Sequence, residues 1–206
     1  MDENLLAKPD HNIYNNEDYY QEILAGNNEE EIRKFQAFHN LSDDQIELYR
    51  YFCLMRKMEL ARVREMTDKR AKENPVANLM ELEMGAYAET IEWQVRDAIM
   101  VMREKGYPTV SSGFWGLRSQ AINFALPCLE KFSPSPTFLR NCEEEGIMIE
   151  IHDKKITIEL LNIVSLEKIK NIWNHIASEL PDLGHKAEPS RLPAADNFRR
   201  KQEIFK

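Results

Sequence analysis

Near residue 106 the spacing of apolar residues changes from a period of about 3.6 to a period of 2, and few folds accommodate both. Before it, Met80, Met84, Tyr87, Ile91, Val95, Ala98, Ile99 and Met102 fall on one side of a helix expected over 78–105. Lys105, Gly106 and Pro108 supply the residues that end such a helix: a cation in the last turn, a glycine for the left-handed position and a proline beyond. After it, Thr109–Trp115 reads as a strand, and Ile122, Phe124 and Leu126 alternate as a second, with a turn over 116–120. The chain must therefore join long helices to a sheet.

The alternation resumes after Ser133-Pro134-Ser135-Pro136, an extended connection, and a short helix expected over 137–145 that stops at Gly146. Ile147, Ile149 and Ile151 face one way. Across a turn at Asp153-Lys154, Ile156, Ile158 and Leu160 do the same, which predicts a hairpin with one apolar and one polar face. Ser165 then caps a final helix whose Leu166, Ile169, Ile172, Trp173, Ile176 and Leu180 make a continuous stripe. The expected fold class is α+β: a two-layer sandwich of an antiparallel four-stranded sheet with helices on one face.

A long-helix extension should precede this core. Ser42 and Gln45 form a capping box, flanked by Leu41 and Ile46 at the staple positions, and open a helix expected over 43–73. Asn28 followed by Glu29, Glu30 and Glu31 opens a shorter one over 29–39. Asn74-Pro75 ends the long helix. The resulting division is a poorly ordered segment over 1–28, a helical extension over 29–75, an α+β core over 76–181 and a proline-containing basic tail over 182–206.

Composition narrows the function classes. With 206 residues, 43% of them hydrophobic and 30% charged, the chain has material for a sizeable core. Its net charge is −8, and residues 1–75 and 76–181 each carry −5 while the tail carries +2. That balance argues against nucleic acid as a partner, Arg199-Arg200-Lys201 being the one basic cluster at the end of the tail. The three cysteines are odd in number and show no C-x-x-C spacing, an acidic N-terminus replaces the cationic start of a signal peptide, and no run of 18 apolar residues occurs. These point to a soluble cytoplasmic protein with reduced thiols and no membrane.

Chemistry-bearing residues concentrate in two places. The first is Ser111-Ser112-Gly113-Phe114-Trp115, whose hydroxyls, accessible backbone amides and stacking face suit a polar ligand, with Arg118 close behind. The second is Glu89, Glu92, Arg96 and Arg103, expected on the polar side of the 78–105 helix with Glu92 and Arg96 as an i,i+4 pair. The candidate ligand-binding set is Ser111, Ser112, Trp115, Arg118, Glu89, Glu92 and Arg96. His152 with Glu150 and Glu159 reads as cross-strand charge pairing and not as a metal site. No nucleophile elbow, phosphate loop or dinucleotide turn is present, so no catalytic residue, metal or cofactor is assigned. The expected role is a protein-interaction or regulatory module, with a protein partner or self-association through the helical extension and tail. The alternative is a small enzyme or ligand-binding protein with a polar pocket at the Ser-Ser-Gly-Phe-Trp strand.

Overall fold

The structure, a computed structural model, describes residues 17–73 and 90–184. In chain order the described elements are α1 (Glu17–Leu24), α2 (Glu29–His39), α3 (Asp43–Glu73), α4 (Trp93–Glu104), β1 (Thr109–Trp115), β2 (Ser119–Phe124), α5 (Pro136–Glu144), β3 (Ile147–His152), β4 (Lys155–Leu160) and α6 (Leu166–Glu179). The sheet is antiparallel throughout, in the order β1-β2-β4-β3. This is the α+β architecture that the change of period implies.

Local signals account for most boundaries. Ser42 Oγ accepts from Gln45 N (3.2 Å) and Ser42 N donates to Gln45 Oε1 (2.9 Å), so both halves of the capping box at the start of α3 are made. Ser135 and Ser165 accept from Phe138 N and Lys168 N at the starts of α5 and α6. At the end of α4, Gly106 has φ +92°, its N–H donates to Arg103 O, and Tyr107 N–H donates to Met102 O. That pair of bonds is a Schellman closure, and the buried Tyr107 and Met102 side chains complete it.

Two expectations are corrected. Glu17–Leu24 is a helix, where the segment over 1–28 was expected to lack order; Tyr20, Ile23 and Leu24 are buried against Ile32 and Phe35 of α2 and Ile46 of α3. The second concerns the helix expected over 78–105. Its regular part begins at Trp93, Thr90 ends a 3-10 turn, Ile91 and Glu92 lead into the helix in non-helical conformation, and residues 74–89 lie outside the described residues. Within the tail, Asp182–Gly184 are described, with Leu183 N–H on Lys105 O, and 185–206 are not.

The main core lies between the sheet and α4 and α6. Ile122, Ile156, Ile158 and Leu160 from the sheet meet Val95, Ile99, Met102, Ile169, Trp173 and Ile176 from the helices. Burying each large aliphatic side chain contributes about 1.5–3 kcal/mol before the entropy of ordering is counted. Trp173 Nε1 donates to Gln120 Oε1 (3.1 Å), a buried bond that ties α6 to β2. The extension is not separate from this core: Phe52 of α3 is part of it, with its ring edge-on to Phe114 of β1 at 4.9 Å. On the other face of the sheet Ser111, Trp115, Met148, Glu150 and His152 remain exposed.

Candidate functional site at the free edge of β1

β1 is an edge strand, so alternate backbone groups point away from β2. Gly113 pairs with Ala121 and Trp115 with Ser119, which leaves Ser112 and Phe114 presenting N–H and C=O groups to the edge. The Phe114 N–H is taken by Glu92, whose Oε2 accepts it at 3.1 Å and also accepts from Gln94 Nε2 at 2.6 Å. The carboxylate can come this close because residue 113 is glycine: a Cβ there would fall on the Glu92 carboxyl group, and φ is +112°. Sequence spacing placed Glu92 on a solvated helix face. In the structure it precedes the helix and seals a strand edge.

The reason lies in α3. Glu59 Oε2 accepts from Trp93 N (2.9 Å), the first helical amide of α4, and from Arg62 Nε (3.0 Å). Arg62 Nη2 donates to Ile91 O (2.8 Å), as does Arg96 Nη2 (3.3 Å). Glu59 therefore does the work of an N-cap from 34 residues away, and the Glu92 side chain is released for the edge. Burial pushes the Glu92 carboxyl up to about 7; the Gln94 and Phe114 hydrogen bonds and the Arg56 charge oppose the shift, and the Glu59 charge adds to it.

Beside Glu92 a cavity of about 240 Å³ opens between the edge of β1, α3 and the end of α4. It is lined by Ser111, Ser112, Thr109 and Thr90, by Glu92 and Arg103, and by the apolar Leu60, Val63 and Ile91. Arg103 Nε donates to Thr109 Oγ1 (2.9 Å), and Ser111 Oγ accepts from Asn123 Nδ2 (2.9 Å). The Ser112 hydroxyl has no hydrogen-bond partner among the described residues.

Of the candidate set, Ser111, Ser112 and Glu92 converge here, and Glu89 lies outside the described residues. The others do not join them. Trp115 is 52% exposed on the open face of the sheet, with Lys155 Nζ 4.2 Å above its ring. Arg118 pairs with Glu159 across the β2–β4 ladder, and Arg96 is turned to the Ile91 carbonyl and not to Glu92. Thr90, Thr109, Leu60 and Val63 were missed because their place in the site comes from the packing of α3 and from a register shift between Thr109 and Ser111. Arg103, which the spacing sets with Glu89, Glu92 and Arg96, is part-buried in the structure and bonded to Thr109.

A larger groove of about 680 Å³ lies elsewhere, between the connection after β2 and the end of α6. Glu179, the Ser135 amide and the Tyr107 hydroxyl are already engaged there, while Glu130 and Lys131 are exposed. Glu179 accepts from Ser135 N (2.8 Å) and pairs with His175 (2.9 Å), and Tyr107 OH donates to Pro181 O (3.0 Å). The thiols are held protonated by burial, Cys53 pushed up to about 12 and Cys128 to about 11. Among the described residues no cluster of three metal-ligating side chains occurs, His152 meeting Glu150 at 3.8 Å while Glu159 is taken by Arg118. Among the described residues, no helix is long and apolar enough to cross a membrane.

No family model matches this chain. No curated protein and no solved structure matches it either. The site must be read from its own geometry.

Proposed function

We propose that the chain is a binding module whose ligand is a small polar molecule held at the free edge of β1. The observation that carries this reading is the convergence of Ser111, Ser112 and Glu92, from separate elements, on one cavity that also holds Thr109 and Arg103. Ser112 offers a hydroxyl and an outward amide, which suits a ligand with an acceptor on one side, and Leu60 and Val63 suit an apolar edge on the other. The volume is below the roughly 300–1,000 Å³ of drug-sized sites, so the ligand class is a metabolite of few atoms.

Binding is favoured over catalysis because, among the described residues, neither histidine nor cysteine lines the cavity, and the Glu92 carboxyl is bonded to Phe114 N–H and Gln94 Nε2 and not to a serine hydroxyl. The test is a thermal-shift screen against small polar metabolites, followed by the same titration on Ser112→Ala. A ligand-dependent rise in Tm that the variant loses supports the reading. A rise that Ser112→Ala leaves intact places the ligand elsewhere and refutes it.

A protein-interaction role for the helical extension remains a second reading. Leu54 and Met58, one turn apart on α3, are 44% and 73% exposed, an apolar pair without cover among the described residues.

A further inference from the structure

The two edges of the sheet are treated differently. β1 has a register shift, a glycine at positive φ and the Glu92 carboxylate on its Phe114 amide, all of which obstruct the approach of another strand. β3 has none of these. It runs in unbroken register from Ile147 to His152, and contains no proline, glycine or lysine. Leu161 N–H donates to Gly146 O, which fixes the alternation: Met148, Glu150 and His152 bond β4, and Ile147, Ile149 and Ile151 turn their N–H and C=O groups outward. Among the described residues nothing accepts from or donates to the outward groups of Ile149 and Ile151. α5 packs against β3 and still leaves both side chains half-exposed.

We infer that the β3 edge is a self-association surface, on which a second copy of this chain adds its own β3 antiparallel about a two-fold axis at Ile149, extending the sheet from four strands to eight. A second copy is favoured because the strand complements itself in this register. Three pairs of outward backbone groups meet: Ile147 with the other copy's Ile151, Ile149 with Ile149, and Ile151 with Ile147. On the helix-bearing face the isoleucine row becomes continuous across the axis, and the half-exposed Ile149 and Ile151 are covered. On the open face Glu150 stands opposite Met148 of the other copy. Sliding the axis to residue 150 would oppose the two Glu150 carboxylates and lose one backbone pair, so the register is specified. The contact is isologous and closes on itself, giving a dimer and not a filament.

The experiment is sedimentation velocity on the full chain across a hundred-fold range of micromolar concentration, for the natural protein and two variants. Ile149→Pro removes an outward N–H that no internal bond uses, and is expected to give a monomer at every concentration with an unchanged far-ultraviolet spectrum. Met148→Lys places a cation opposite the other copy's Glu150 on both sides of the axis, and is expected to tighten the dimer several-fold, a gain that misfolding does not produce. A natural chain that stays monomeric throughout overturns the inference. So does a dimer that both variants leave unchanged.

Discussion

Gly113→Ala is expected to destabilise the protein by about 2–6 kcal/mol, through two separable costs. The first is conformational: an alanine held at φ +112° pays roughly 1–3 kcal/mol whatever the space around it. The second is the loss of a hydrogen bond. The new methyl group occupies the position of the Glu92 carboxyl, which must swing away and leave the Phe114 amide without its acceptor, at about 1–3 kcal/mol. For a chain of this length each kcal/mol moves Tm by about 2–4 °C, so a fall of roughly 4–24 °C should appear in thermal unfolding followed by circular dichroism. A double-mutant cycle separates the costs. Glu92→Ala alone already forfeits the hydrogen bond, so adding Gly113→Ala to it should cost only the backbone part, and the double variant should be about 1–3 kcal/mol more stable than the sum of the singles implies. Strict additivity would refute the close approach of Glu92 to Gly113, and a loss under about 1 kcal/mol for Gly113→Ala would refute the strained backbone as well.

Two further outcomes follow from single side chains. Glu92 keeps its proton in the folded chain to about pH 7, against an ordinary value of 4.5, so the folded state binds more protons between those values and stability falls as pH rises through them, by an amount of order 3 kcal/mol, levelling above pH 7. Glu92→Gln keeps an acceptor for Phe114 N–H without the titration, and urea midpoints should therefore favour the variant more at pH 8 than at pH 5; parallel profiles would contradict the burial. Lys105 Nζ donates to the carbonyls of Ala177 (2.8 Å), Ser178 (2.7 Å) and Leu180 (2.6 Å), closing the end of α6. Lys105→Met keeps the apolar stem and removes those bonds, with an expected loss of about 1–3 kcal/mol in urea unfolding.

The legible parts of the fold are those decided locally. Ser42 with Gln45, Ser165, and Gly106 each act within a few residues of themselves, and the helix boundaries they mark lie where the sequence pattern puts them. The alternation of Ile147 through Leu160 needed only the pleat. What escaped was decided at a distance. α1, with eight residues, is too short to announce itself, and it is held by Ile32, Phe35 and Ile46 of its neighbours. The start of α4 has no capping signal beside it because its cap is Glu59. The serines and Glu92 were recognisable as polar groups near the start of the sheet, but a linear spacing could not show that Glu92 would turn to a strand amide. Nor could it show Trp115 turning away to Lys155.

The carboxylate of Glu59 also bears on the order of assembly. A helix that carries its own cap can flicker into existence alone, whereas the leading turn of α4 has no acceptor of its own for the Trp93 amide until α3 has docked. Its formation is then a non-local event, charged with the entropy of closing a 34-residue separation. The same contact ties the arm to the sheet domain. Cutting the chain between α3 and α4 would remove from the sheet domain both Phe52 of its core and the group that tells its first helix where to begin.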